Sequence, residues 1–325
     1  MTKQRIIPTA TTNLRRAWLK KLGGIDNVSV RNKEWLILLE EDTRNSLMIE
    51  GYFVSRAELT DIIQNPKYTE IGYKVLGYFD AAVASYELAF QQYKTNEFKL
   101  TKPIIRQIHS LMFRGDPHFA WTPGDWRRCE MIITGAKVKT SFPHKIEEQI
   151  ERLIEIANTS EENLIRKIAV IHDMFEQIHP FPDGNGRVGR IITNFILVGH
   201  GLPNIAIKGS EKNKKIYIDA LEEADPIVVE ILNGRKTNDP FGKPLVQIED
   251  VISKSLASAL DIIICARYDK VKKLMPLKEV ATEIGKPLLS LSVACSQKKH
   301  ICAKIDGKIQ THPDLFKSPE PKEKE

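Results

Sequence analysis

Residues 179–190 read HPFPDGNGRVGR, and they stand between two apolar runs, IRKIAVIHDMFEQI before and IITNFILVG after. The flanking runs carry apolar residues at helical spacing over about 162–178 and 187–199. Pro180 and Pro182 stiffen the connection, and the glycines let the chain turn sharply into the second helix. A chain with this feature is constrained to pack two helices side by side with a polar loop held between them. Phe181, alone and apolar in that loop, is expected to turn inward as its anchor.

The rest of the chain fits a mainly α fold. Residues 30–52 place Trp35, Leu36, Leu38 and Leu39 on one apolar side, and 55–98 read as two helices, the first opened at Ser55 by the capping-box-like SRAE. Further helices are predicted over 103–114 and 145–157, and one or two over 212–234. Between 127 and 142 the texture changes to β-branched and apolar residues around Gly135-Ala136, which predicts a β-hairpin. A polar stretch rich in Gly and Pro, NGRKTNDPFGKP (233–244), suggests a boundary. Beyond it come a helix over about 247–268, a second helix, a turn at Gly285-Lys286-Pro287, a third helix and two short strands around Asp306-Gly307. That order predicts a small winged-helix-like α+β unit. The expected organisation is an N-terminal helical region (1–100), a helical core (101–235), the winged-helix-like unit (245–316) and a frayed polar tail (317–325).

Composition narrows the function classes. Apolar residues make up 42% and charged residues 28%, as in ordinary soluble proteins, and no run approaches the roughly 18–20 apolar residues of a membrane span. The start of the chain has no signal-type apolar stretch. Cys129, Cys265, Cys295 and Cys302 form no CxxC pair, so free thiols in a reducing, cytoplasmic setting are expected, not a zinc site. The net charge of +6 reflects six basic and no acidic residues before Asp26. This arm reads as a solvated face, with contact to nucleic acid or anionic lipid as the alternative.

The chemistry gathers in the opening motif. Gly184, Asn185 and Gly186 precede a helix, so converging backbone N–H groups and the helix terminus form an anion nest. Arg187 and Arg190 are three apart and share a face, where two guanidinium forks suit a polyphosphate. Cations are disfavoured in a first helical turn, so a compensating anion is expected. Asp183 is a hard oxygen ligand for a Mg²⁺, or Mn²⁺, that bridges phosphates, and His179 can accept a proton near neutral pH. Each residue alone has a plain structural explanation; together they describe a phosphoryl-transfer site. No GxxxxGK[ST] sequence occurs, so the site is not a P-loop.

HPFPDGNGRVGR matches every fixed position of HxFx(D/E)GNGRxxR, and the chain is similar to the Fic family over about 100–225, including FEQI before His179 and the hairpin at 127–142. The resemblance implies a Fic-type helical bundle and a protein adenylyltransferase that uses ATP and Mg²⁺ to place AMP on a Ser, Thr or Tyr hydroxyl of a target protein. It implies that His179 deprotonates the hydroxyl, Asp183 holds the metal, Gly184, Asn185, Gly186 and Arg187 bind phosphates, and Arg190 holds the γ-phosphate. The hairpin would be the flap that clamps the target by strand addition, with Gly124 and Arg127 as its GxxR lead-in. Tyr217 and Leu221 resemble a YxxxL element on the adenine side. The chain departs from its relatives at Pro143-His144, where Pro-Pro is frequent, and at Tyr217-Ile218, where Tyr-Tyr is.

SLMIEG (46–51) resembles the family's inhibitory motif (S/T)xxxE(G/N), which implies an inhibitory helix over about 40–52. Ser46 and Glu50 are four apart and share a helix face, with Gly51 closing it. The implied mechanism is competition between Glu50 and the γ-phosphate for Arg190. Two alternatives stand beside the transferase: a Fic enzyme that removes AMP, and a DNA-binding regulator that uses Lys286, Lys298, Lys299, Lys304 and Lys308. Against the regulator, LLSLSVACS lacks base-reading side chains, and packing or dimerisation suits it as well. Self-modification and homodimers are further expectations from the resemblance.

Overall fold

The computed structural model describes residues 9–25, 32–132, 140–160, 163–234, 245–305 and 307–319. Its elements are α1 (Thr9–Lys21), α2 (Lys33–Ile49), α3 (Arg56–Gln64), α4 (Glu70–Thr95), α5 (Lys102–Met112), α6 (Ile146–Asn158), α7 (Leu164–Ile178), α8 (Asn185–Gly199), α9 (Glu211–Leu232) and α10 (Val246–Val271), followed by β1 (Met275–Pro276), α11 (Leu277–Glu283), α12 (Leu288–Ser296), β2 (Ala303–Ile305) and β3 (Lys308–Thr311). The mainly helical reading is therefore correct. The 212–234 segment is a single helix that runs through Pro226. No helix among the described residues is long and apolar enough to cross a membrane.

Local chemistry sets the helix starts. Asn32, Ser55, Thr69 and Thr101 each accept a backbone N–H of the first turn of α2, α3, α4 and α5, respectively. Ser55 makes the bond expected of SRAE, to the Glu58 N–H at 3.1 Å. Asn96, left-handed at φ 57°, ends α4.

Helix α8 is the axis of the molecule. Every residue from Arg187 to Gly199 is buried, so a helix that looks only partly apolar is enclosed all round. Helices α2, α4, α5 and α7 pack against it. Helix α4 also crosses α5 closely at Gly77, where an added Cβ would stand 2.0 Å from the Met112 carbonyl oxygen.

Residues 235–244 of the expected boundary lie outside the described residues. Past them, α10 packs against α9, α1 and α7, and its Ile248, Ile252, Leu256, Leu260 and Ile264 belong to the same hydrophobic core as α8. The small unit that follows has its own cluster, built on Leu277, Ala281, Leu291, Cys295 and Cys302. Its sheet has the order β1-β3-β2, all antiparallel; Asp306 lies outside the described residues. All four cysteines are free. Helix α1 fastens this unit to the body: the fully buried Arg15 donates to Asp261 Oδ1 (2.8 Å) and to the His300 carbonyl (3.0 Å), and Trp18 donates to the Lys317 carbonyl.

Gly77→Ala is expected to destabilise the protein by about 1–3 kcal/mol, because backbone and not a flexible side chain blocks the new methyl group. A thermal melt followed by circular dichroism checks this; an unchanged midpoint would mean that α4 and α5 separate at little cost.

Candidate functional site

Helix α7 ends at Ile178, and His179 takes the left-handed conformation at φ 49°. Its Nδ1 is 3.1 Å from the Glu176 carbonyl oxygen, which can only accept, so Nδ1 carries the proton and Nε2 keeps its lone pair. Burial, with the Arg127 guanidinium nearby, pushes the imidazole below its ordinary pKa, so it is neutral at pH 7 and able to accept a proton.

Phe181 is fully buried, as its place in the loop suggested. Asn185 brackets it: Oδ1 accepts the Phe181 N–H and Nδ2 donates to the Phe181 carbonyl, both at 2.8 Å. The Asn185 side chain is thus committed to loop geometry, and only its backbone faces the nest. Gly184, at φ 78°, opens α8, and no side chain caps that helix terminus. The Asp183 carboxylate accepts the Gly184 N–H through Oδ1 (2.6 Å) and pairs through Oδ2 with Arg187 (3.1 Å). The Arg187 guanidinium lies 5.0 Å from the Phe113 ring centre, and its buried Nε has no hydrogen-bond partner.

Arg190 is 3% exposed. Its Nε donates to Ser46 Oγ (2.7 Å), and its terminal nitrogen donates to the Ser46 carbonyl (3.2 Å) and to Glu50 Oε1 (2.5 Å). Burial opposes its charge, yet Glu50 and the surrounding Tyr217, Tyr78 and Glu176 hold its pKa above the ordinary value. Burial likewise works against the charge of Glu50, but Arg190 and Arg187 outweigh it and keep the carboxyl ionised. The Glu50 carboxylate lies on Gly186: a Cβ there would be 2.7 Å from Oε1. Gly51, at φ 91°, lets the chain leave α2 directly after Glu50.

Tyr217, expected on the adenine side, is enclosed. It is 2% exposed, its hydroxyl is 2.7 Å from His172 Nε2, and Arg190 is its charged neighbour. Such a phenol supports the arginine from inside and presents no free group to a base. His172 is the middle of three buried groups there: its Nδ1 also contacts Thr193 Oγ1 at 3.1 Å. Burial pushes His172 down to about 3, so it is neutral.

The sequence reading did not identify two acids near this arginine. Glu176 Oε1 is buried without a hydrogen-bond partner, and burial pushes its pKa up to about 7, with Arg190 opposing and Glu50 reinforcing the shift. Asp42 accepts the hydroxyls of Tyr78 (3.1 Å) and Tyr86 (2.7 Å) and the Asn194 amide (3.1 Å), and burial raises it to about 7. A signal existed for Asp42: with Ser46 and Glu50 it forms an i, i+4, i+8 stripe along α2.

Arg127 organises the flap root. Its N–H donates to the Pro180 carbonyl (2.8 Å), and its guanidinium donates to the carbonyls of His179, Cys129, Ile178 and Ser141. Thr140 Oγ1 donates to the Met131 carbonyl at 2.6 Å, so the two arms of the expected hairpin approach each other. Residues 133–139, including the Gly135-Ala136 turn, lie outside the described residues, and 127–132 and 140–142 carry no regular strand.

Asp183 is the carboxylate suited to a Mg²⁺ that arrives with phosphates, since its side chain is 47% exposed beside an uncapped helix terminus. Among the described residues no group of three or more His, Cys, Asp or Glu side chains is placed to hold a metal by itself. The arrangement as a whole offers a neutral imidazole, an N-terminal nest, two buried guanidinium groups and a carboxylate paired with each.

Comparison with known proteins gives consistent matches. The sequence profile of the Fic/DOC family matches residues 99–197. A protein of Aquifex aeolicus named "Probable protein adenylyltransferase" is 36% identical over 217 residues, which is 65% of this chain and 64% of that protein. The chain thus spans just under two thirds of that relative's length. A Fido domain-containing protein of Dictyostelium discoideum is 33% identical over 102 residues, covering 30% of this chain and 69% of that protein. The fold is similar to that of a Fic domain-containing signaling protein from Bacteroides thetaiotaomicron, with a TM-score of 0.63 at 22% identity over 79% of this chain and 96% of that one.

The Glu176 carboxyl generates a pH expectation. Between about 4.5 and 7 the folded protein keeps this proton while the unfolded chain has released it. Stability therefore falls as pH rises through that window, by ~3 kcal/mol at full effect, and is flat above it. Asp42 contributes with the same sign, so Glu176→Gln should flatten the decline in melting temperature from pH 5 to pH 7.5 only in part. An unchanged slope would mean that Glu176 is already ionised in the fold at pH 5.

Proposed function

Because this chain belongs to the Fic/DOC family, we propose that it transfers AMP from ATP to a hydroxyl of a target protein and that Glu50 holds this activity in check. The observation that carries the reading is the contact of Arg190 with Ser46 and Glu50, 144 and 140 residues away in sequence. It puts an internal carboxylate against Gly186 at the mouth of α8, where a phosphate would otherwise sit.

The mechanism follows from the residues. The triphosphate lies on the N–H groups that open α8. Arg187 adds its positive charge beside them, and Arg190 takes the γ-phosphate once Glu50 leaves. A Mg²⁺ bound with the nucleotide at Asp183 would neutralise phosphate charge. His179 Nε2 accepts the proton of the target hydroxyl. The hydroxyl oxygen bonds to the α-phosphorus, the bond to the bridging oxygen of the β-phosphate breaks, and diphosphate departs. Arg127 holds the carbonyls of His179 and Pro180 together with both arms of the flap, so the base and the target-binding segment share one support. Tyr217 acts through Arg190 as a positioning residue.

The charge of Arg190 explains the inhibition. A guanidinium this buried needs an anion, and either the Glu50 carboxylate or a γ-phosphate provides one. With Glu50 in place, ATP keeps its nest contacts but loses the one that aligns its α-phosphate. The DNA-binding alternative finds little support in α12, whose exposed residues include Leu288, Leu289 and Val293.

The test uses ATP labelled at the α-phosphate, Mg²⁺ and a cell lysate. Wild type should label protein weakly, Glu50→Gly at least tenfold more, and Glu50→Gly with His179→Ala not at all. If Glu50→Gly labels no more than wild type, the inhibitory reading fails, and removal of AMP from a modified target becomes the assay to run.

A further inference from the structure

We propose that His109 is a positioning residue for the phosphate nest, a neutral imidazole in one fixed tautomer that ties the root of the flap to the Asp183 carbonyl. Its functional consequence rests on the nucleotide-binding part of the reading above.

His109 lies in the last turn of α5 and is 0% exposed. Its Nδ1 accepts the Gly124 N–H at 2.7 Å, so that nitrogen carries no proton and the ring is neutral with its hydrogen on Nε2. Nε2 is 3.2 Å from the Asp183 carbonyl oxygen, which can only accept, so the same ring donates there. The ring face stacks on Phe181, with centroids 3.8 Å apart and planes 8° from parallel, and Phe113 and Phe119 close its other sides. With both nitrogens engaged and no access to solvent, His109 is not a proton-transfer group.

What it does is align. The carbonyl of Asp183 and the N–H of Gly184 belong to one peptide plane. That N–H is held by the Asp183 carboxylate, and Gly184 itself abuts the Phe113 ring, which an added Cβ would meet at 2.7 Å. Anchoring the carbonyl therefore fixes the orientation of the plane from which α8 and its nest begin. On the other side, Gly124 stands three residues before Arg127, the residue that supports His179 and both flap arms. Arg106 donates to the Gly124 carbonyl (2.7 Å) and Ser110 to the Pro123 carbonyl (3.2 Å), so α5 grips this turn with three side chains. His109 alone among them also reaches the nest. The hydroxyl donor and the phosphate acceptor are thereby referenced to one helix, as in-line attack requires.

Two substitutions separate the two bonds, since Gln places its amide nitrogen near the position of Nε2 and Asn places its amide oxygen near that of Nδ1. All variants are made in Glu50→Gly, and Mg·ATP affinity is measured by calorimetry alongside label transfer from ATP. His109→Phe, which keeps the stacking but neither bond, should weaken Mg·ATP binding about tenfold among molecules that remain folded. His109→Gln should stay within threefold of the parent, and His109→Asn should lose nearly as much as His109→Phe. A merely structural role would make Gln and Asn equally costly, and that result overturns the proposal, as does unchanged affinity in His109→Phe. If His109→Phe does not fold, the Gln and Asn pair decides alone. A Glu50→Gly parent that binds Mg·ATP but labels no protein refutes AMP transfer while leaving the His109 comparison readable. A parent that does not bind Mg·ATP overturns both.

Discussion

The structure depends on a guanidinium that has almost no access to water. Arg190 sits on the enclosed helix α8, and a buried cation without a partner would cost several kcal/mol. Helix α2 supplies the answer with three groups one turn apart: Asp42 in the tyrosine network, Ser46 on Nε and the backbone carbonyl beside it, and Glu50 on the outer nitrogen. These contacts differ in how replaceable they are. Asp42 and Ser46 are buried among side chains, whereas Glu50 stands at the helix end with its carboxylate 30% exposed. Only the last is positioned to exchange with an incoming anion, so α2 can stay docked while its terminal carboxylate moves.

Around this cation several buried titratable groups are kept neutral or close to it. His172 and Tyr217 are neutral because burial penalises their charged forms, and Glu176 is poised near 7. With Arg187 and Arg190 both buried there, the field favours a polyanion at the mouth of α8 once Glu50 is displaced. His179 fits the same pattern: it is uncharged, held by a carbonyl at Nδ1, and ready at Nε2.

Much of this was legible in the sequence, for physical reasons. The motif residues are contiguous, and a loop between two apolar helices leaves few ways to arrange them, so His179, Asp183, Gly184, Gly186 and Arg187 stand where the spacing suggested. The Ser46 and Glu50 pair was legible because residues four apart must share a helix face. Less was visible where the partner is remote in sequence. LEEDTRNS offers Glu40, Glu41 and Asp42, and which of them is buried depends on where α4 and α8 dock. The motif marks Tyr217 as an adenine-side residue but says nothing of its bond to His172 on another helix. The composition break at 233–244 suggested a boundary, but periodicity could not say which core α10 would join. His109 sits in an ordinary amphipathic helix, and nothing local marks its ring as a link between two distant loops.

The bond from Arg15 to Asp261 joins residues 246 apart. During synthesis α1 precedes the carboxylate and the carbonyl that neutralise and satisfy its buried arginine by 246 and 285 residues. The charge of Arg15 is therefore left without its buried partners until α10 and the segment after α12 have been made. Closure of α1 over α10 thus depends on a segment more than two hundred residues further along, and a chain cut before Asp261 would leave Arg15 without its carboxylate.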